Sequence, residues 1–243
     1  MNRIVVITGA AAGLGLSLAE RFVRQGDTVY GVTKTKRHWK EVQKRITDTS
    51  QIHLFQVDTT AEPTVKTFVS KVRKEAGRID ILINNSGYAN RPTRLERETV
   101  EEFQRNLSAN LIAPFLMCKY TLPIFRKQNA GWIINIASMA GKRAVPYLTA
   151  YSASKFGVLA LTQSLVKENN GAGFKCVTVC PGGMNTKMRA KLFGKEDAER
   201  QQSSEFVADK ILEIIDGKLI VESGGDVVIR HGRVTAINPL PAA

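Results

Sequence analysis

Only three cysteines occur in the 243 residues, Cys118, Cys176 and Cys180, and none has the spacing of a zinc or thioredoxin-like site. On a strand through KCVTVCPG, Cys176 and Cys180 would stand roughly 13 Å apart at ~3.3 Å per residue, too far for a disulfide. All three therefore read as small buried apolar residues. Histidine is equally scarce: His38, His53 and His231 fall in separate segments with no cysteine or carboxylate cluster beside them, so no metal is expected. No apolar run reaches the ~18 to 20 residues that span a bilayer. The opening MNRIVVITGA leads into a glycine turn and not into a cleavage site, which makes a cytoplasmic protein without a membrane partner the expectation. Basic stretches interleaved with aromatics are missing, as are zinc-finger and RNA-binding signatures, so no nucleic-acid partner is expected. The formal net charge of +13 reads either as a solvated basic surface or as attraction to anions such as a nucleotide phosphate, an acidic carrier protein or a nucleic acid.

What is present is a 43% apolar chain of a length that one large α/β domain fills. Short apolar runs alternate with helix-period segments from end to end. RIVVITGA, TVYGVT, IHLFQVD, IDILINN, WIINIAS, KCVTVCPG and DVVIRHG give seven strands. Between them, Leu14, Leu18 and Phe22, then Val65, Phe68, Val69 and Val72, then Val207, Ile211, Ile214 and Ile215 recur at helical spacing. Strands without polar alternation are buried on both faces, which predicts a single-domain, Rossmann-like, doubly wound parallel sheet over residues 1–243 with helices on both faces. No repeat, linker or domain boundary interrupts it. The less regular stretches, about 88–97 and 184–204, both follow strands, and the second reads as a substrate loop.

In such sheets ligands bind outside the carboxyl ends of the strands. The first strand runs into Thr8, Gly9, Gly13, Leu14 and Gly15 and then a helix, a turn whose glycines admit a pyrophosphate to the helix N-terminus, although the spacing is not the usual dinucleotide fingerprint. An ordinary tight turn accounts for it about as well. The second strand ends in Thr33, Lys34, Lys36 and Arg37 with no carboxylate, which favours a 2'-phosphate and hence NADP(H). A solvated charge run is the plain alternative. Asp58 closes the third strand, either to accept from an adenine amine or to cap the next helix through DTTAE. Asn84, Asn85 and Gly87 close the fourth; Ser138 closes the fifth, as a turn residue or as a chemical one; Pro181, Gly182 and Thr186 follow the sixth.

Tyr151 and Lys155 in AYSASKFGVLAL stand at i, i+4 on one helical face. An ammonium ~4 to 5 Å from a phenol favours the phenolate by about 3 to 4 kcal/mol at an effective dielectric near 20, which lowers the phenol pKa by roughly two to three units. The phenol then serves as a general acid or base near neutral pH. Ser138 would hydrogen-bond the carbonyl or alkoxide oxygen.

Taken together, TGAAAGLG, Asp58, NNSG, YSASK and PGGMNT resemble the classical short-chain dehydrogenase/reductase family over nearly the whole chain. The resemblance implies an NADP(H)-dependent enzyme that interconverts a small-molecule ketone and a secondary alcohol. It implies that Asn110 in SANLIAPF joins Ser138, Tyr151 and Lys155 as a catalytic tetrad. In that scheme the asparagine anchors a relay water, the serine orients substrate, and the tyrosine transfers the proton. The lysine binds the nicotinamide ribose and lowers the tyrosine pKa. A homotetramer or homodimer through the helices containing Asn110 and Tyr151 also follows, with Phe156, Leu159 and Leu165 assigned either to that interface or to the core. Two departures stand out. Ser86 replaces the usual alanine, and SGGDVVIRHGRVTAI lacks the ending common in the family's ketoacyl reductases, which weakens a 3-oxoacyl-thioester substrate despite Lys187, Arg189, Lys191 and Lys195 in the substrate loop. A non-catalytic NADP(H) sensor and a nucleic-acid binder are the readings of other classes.

Overall fold

The structure is a computed structural model describing residues 2–242. The first strand, β1 (Ile4–Thr8), carries no polar alternation, and its inner residues Val5, Val6 and Ile7 are fully enclosed. The remaining strands are β2 (Thr28–Thr33), β3 (Ile52–Gln56), β4 (Ile81–Asn84), β5 (Gly131–Ile136), β6 (Phe174–Pro181), β7 (Asp226–Arg230) and β8 (Arg233–Asn238). They form one eight-stranded sheet in the order β3-β2-β1-β4-β5-β6-β7-β8, parallel throughout except for β8.

Helices cover both faces, as buried strands require. One face packs α1 (Gly13–Arg24), α2 (Trp39–Arg45) and α9 (Ser204–Ile215) in a core containing Leu14, Leu18, Phe22, Val207 and Ile211. The other packs α3 (Glu62–Ala76), α5 (Ala113–Gln128) and α6 (Thr149–Glu168) over Val65, Phe68, Val72, Phe125 and Leu165. Helix α4 (Val100–Leu107) runs into α5 through a π-helical turn, Ser108–Ile112. The two short helices α7 (Lys187–Phe193) and α8 (Lys195–Glu199) occupy the segment expected to be a substrate loop.

Eight strands, not seven, make the sheet. The segment RVTAIN alternates exposed and half-buried residues as an edge strand does, and His231 and Gly232 take φ of 50° and 67°, the left-handed pair of a tight hairpin. Such an alternating edge strand lacks the continuous apolar run that marks the other seven. A second difference concerns apolar length. The continuous helix Val100–Gln128 is long and apolar enough to cross a bilayer by length and composition alone. Here its Leu116, Met117 and Phe125 are buried against the sheet.

A buried polar chain fixes α6 on the strands. Asn84 of β4 donates to Asn135 Oδ1 of β5 at 2.8 Å, Asn135 donates to Thr162 Oγ1 of α6 at 2.9 Å, and Thr178 of β6 donates to the same hydroxyl at 2.8 Å. Thr162 in turn donates to the Val158 carbonyl. A buried network of this kind is strong in so far as its members are paired, and here Asn84 Oδ1 is buried without a partner. The near-isosteric change Thr162→Val strips the acceptor from two buried donors, and urea denaturation should register a loss of about 2 to 6 kcal/mol at roughly 1 to 3 kcal/mol per unpaired group.

Candidate functional site

The strand order reverses between β1 and β4, and the cleft opens at their carboxyl ends, as expected for a doubly wound sheet. Thr8, at the end of β1, is buried and does not face the cleft. Its hydroxyl oxygen accepts from the backbone N–H groups of Asn85 and Ser86, both at 3.0 Å, while Asn85 Nδ2 donates to the Thr8 carbonyl at 2.9 Å. Two strands that diverge in chain order are thereby held at a fixed separation. Gly9 turns the chain with φ of 71°, and a Cβ on Gly15 would lie 2.2 Å from the Gly9 carbonyl oxygen, so no side chain fits where α1 meets the turn. The first turn of α1 has no acidic residue and no capping side chain, which leaves its N–H groups to an anion.

The cleft encloses about 630 Å³ and is lined by Gly9, Gly13, Leu14, Thr33, Lys34, Asp58, Asn85, Gly87, Tyr151, Lys155 and Thr186 among the residues named from the sequence. Others lie elsewhere. Arg37 is exposed on a 3-10 turn, Lys36–His38, and the wall there is made by Thr35 and His38 instead. Gly15 is a packing contact. Pro181 is buried in β6 opposite Ile229, and Gly182 lines a second cavity. Asp58 accepts from the Thr60 N–H at 3.0 Å and from its hydroxyl at 2.6 Å; these bonds, more than Lys34 at 3.4 Å, hold its pKa low. It thus caps the turn before α3 and still faces the cleft.

Asn110 is buried in the π-helical turn and faces away from bulk solvent. Its Oδ1 accepts from the Tyr88 N–H and its Nδ2 donates to the Tyr88 carbonyl, both at 2.8 Å. A further bond of 3.0 Å reaches Ser154 Oγ. The asparagine therefore ties the loop after β4 to α6. The extra residue of a π turn rotates the side chain out of helical register, a device frequent at functional sites. Helical periodicity carries no trace of it. Sequence reasoning also missed Tyr88 and Arg105, which line the cleft with the guanidinium 4.3 Å above the phenol ring; Lys187, assigned from the sequence to the substrate loop, lines the cleft too and pairs with Glu41 at 2.7 Å, joining α7 to α2.

Ser138 Oγ accepts from the Ala140 N–H at 3.1 Å, so the turn role is real, and Ser138 is half-buried between Ala137 of the cleft and Met139. Tyr151 and Lys155 share a face of α6, but the electrostatics differ from the expectation. Lys155 is 4% exposed, its ammonium donates to the Ile136 carbonyl at 2.8 Å, and it stands 5.9 Å from the Tyr151 ring centre. Burial pushes the Tyr151 phenol above its ordinary value, with Ser138 only partly opposing this, and pushes Lys155 down to about 8. The lowered phenol pKa expected from the pair is thus absent in this state. Desolvating both groups outweighs an ammonium that is aimed at a carbonyl and not at the phenol oxygen. Beneath them the Cys180 thiol is buried and pushed up to about 12.

A buried ammonium without a carboxylate is a cost to the fold. Because its folded pKa lies below 10.5, the unfolded chain binds more protons between about pH 8 and 10.5, and stability rises across that window. Lys155→Met should therefore be more stable than the parent by about 3 kcal/mol at pH 7, at ~1.36 kcal/mol per unit. That margin should shrink to under about 1 kcal/mol at pH 10, read as urea midpoints at the two pH values.

Comparisons with known proteins bear on what this arrangement serves. The family model described as short chain dehydrogenase matches residues 3–197. Among curated relatives, the 2-(R)-hydroxypropyl-CoM dehydrogenase of Xanthobacter autotrophicus is 29% identical over 98% of this chain and 100% of its own. The 3-ketodihydrosphingosine reductase of Bacteroides thetaiotaomicron is 35% identical over 76% of this chain and 65% of its own. Among solved structures, levodione reductase superposes with a TM-score of 0.87 at 26% identity, covering 95% of this chain and 96% of that one. A 3-ketoacyl-(acyl-carrier-protein) reductase from Brucella melitensis, complexed with NADH, gives 0.84 at 26% identity, covering 93% and 96%. Motifs, sheet order and family match agree, and the chain belongs to the short-chain dehydrogenase/reductase family of oxidoreductases.

Proposed function

We propose that the protein is an NADP(H)-dependent oxidoreductase that interconverts a ketone and a secondary alcohol, with Tyr151 as proton donor and acceptor. The observation that carries this is the convergence of Ser138, Tyr151 and Lys155 at the carboxyl ends of β5 and β6, beside a glycine turn that excludes side chains at Gly9 and Gly15. The turn, the uncapped start of α1, Asn85, Gly87 and Thr186 fit a dinucleotide. Gly9, Gly13 and Leu14 would hold its pyrophosphate, Asp58 its adenosine end, and Tyr151 and Lys155 its second ribose. Thr186, which lines the cleft, would lie on the nicotinamide side, whereas Pro181 and Gly182 do not line it. When bound, the cofactor supplies or accepts the hydride.

Each side chain then has a definite task. The Tyr151 hydroxyl, held protonated by burial, donates to a substrate carbonyl oxygen as negative charge develops there. Ser138 donates to the same oxygen, which positions it and stabilises its charge. Lys155, at about 8 and shielded from solvent, keeps a positive charge at neutral pH beside the phenolate that donation leaves. Asn110 acts at a distance by fixing Tyr88 and Ser154.

Preference for the phosphorylated cofactor is supported by Lys34, whose side chain is 76% exposed at the cleft, and by the lack of a carboxylate at the end of β2. A homo-oligomeric face is supported by Ile112, Phe115 and Phe156, all exposed on the π turn, α5 and α6, whereas Leu165 is buried in the core and Leu159 is partly buried. The relatives named above are a dehydrogenase and reductases, and no observation favours a sensor.

Purified protein should consume NADPH with at least one member of a carbonyl panel. Tyr151→Phe should lower kcat by ~10²- to 10⁴-fold with cofactor affinity within a few-fold of the parent. Full turnover by that variant would remove the proton-transfer assignment. In parallel, Lys34→Ala should weaken NADPH by about 10-fold, the scale of one charge-assisted contact, and leave NADH nearly unchanged. Equal weakening of both would show that Lys34 does not read the 2'-phosphate.

A further inference from the structure

Of the chain's 35 lysines and arginines, Lys34, Arg105, Lys155 and Lys187 line the cofactor cleft. A second cavity of about 710 Å³ accounts for more of them. Its wall contains four arginines, Arg143, Arg189, Arg200 and Arg230, together with His231, and no carboxylate. Arg189 pairs with Asp197 and Arg200 with Glu196, but Arg143 and Arg230 have no ion-pair partner among the described residues. Arg143, exposed, and Arg230, half-buried, line the same hollow, and an anion there would offset the repulsion between unneutralised guanidinium groups.

Arg230 is not a freely solvated surface arginine. It ends β7 beside Gly182, is half-buried, and its Cγ lies 2.9 Å from where a Cβ on Gly182 would sit. The hairpin residues His231 and Gly232 line the same wall. Gly182 thus gives the stem of Arg230 a seat that any larger residue would take away.

The cavity adjoins the catalytic groups. Ala137 faces the cofactor cleft and Met139 faces the second cavity, with Ser138 between them. Met184, Thr186 and Met188 line the cleft, while Gly182, Gly183 and Arg189 from the same segment line the cavity. One wall is therefore shared, and Ser138 stands at its edge.

We infer that this cavity receives an anionic group of the substrate, a carboxylate, sulfonate or phosphate, through Arg143 and Arg230, so that the preferred substrate is an anionic ketone or its alcohol. The inference rests on the carbonyl-reductase reading and narrows it. Guanidinium groups meet such anions with paired, directional hydrogen bonds, which single out the anion as well as attracting it. The volume lies in the range of sites that enclose a whole small molecule.

The test compares an oxo carboxylate with its own methyl ester, and with a ketone phosphate of similar size, under NADPH. The parent protein should use one of the anions with kcat/KM at least 10-fold above the ester, and the favoured anion identifies the group. In Arg143→Gln/Arg230→Gln that ratio should fall at least 10-fold. Equal efficiency on anions and ester in the parent, or a ratio unchanged by the double variant, would overturn the inference and leave carbonyl reduction standing. Thermal unfolding in sodium sulfate, against sodium chloride at matched ionic strength, supplies an arm independent of turnover. A sulfate-specific rise in Tm that is lost in the double variant supports the anion site even if no ketone is turned over, and an identical rise in both proteins counts against it.

Discussion

An ammonium group held out of water by a single backbone carbonyl is the constraint around which the site is arranged. Lys155 has no carboxylate partner, and its bond to Ile136 ties α6 to the end of β5. That places Tyr151 beside Ser138 and at the mouth of the cleft. The arrangement is unfavourable for the fold, since burial lowers the lysine pKa and raises that of the phenol. A protein retains such a pair when the charges are needed elsewhere in its cycle, which is the usual meaning of strongly perturbed groups in a cleft.

The rest of the architecture holds that pair still. Helix α6 is registered on three strands through Thr162, whose hydroxyl serves both Asn135 and Thr178. It is tied to the loop after β4 through Asn110, which satisfies both backbone groups of Tyr88. The switch point is closed by Thr8 and Asn85. Each of these is a short polar side chain at a strand end or on an inward helix face, where geometry and not hydrophobic area sets position.

Much of this was legible in the sequence because the strands are continuous apolar runs and the functional residues follow them directly. Ser138, Asn85 and Thr186 could be placed by that rule alone. Tyr151 and Lys155 needed only helical spacing. What escaped depends on the tertiary arrangement. The π turn that turns Asn110 inward has no periodic signature, and Asn110 entered only through family resemblance. Arg37, one residue from the cleft-lining His38, stands outside the cleft wall because a 3-10 turn presents successive residues on different sides. Strand β8 has no unbroken apolar run, because an edge strand alternates. The phenol pKa went in the opposite direction because a pairwise Coulomb argument took the charge separation into account and left out the desolvation of both partners.

The central claim is that Tyr151 is a protonated acid in the free protein and becomes a usable base when positive charge is added beside it. Titrating Tyr151 by NMR, with ring-labelled tyrosine and the Tyr151→Phe protein for assignment, tests this directly in the free protein and with oxidised NADP. The account predicts a phenol that stays protonated past its ordinary value near ~10 in the free state and shifts down by at least about two units with the oxidised cofactor. A phenol already titrating near neutral pH in the free protein, or one unmoved by the cofactor, would contradict it.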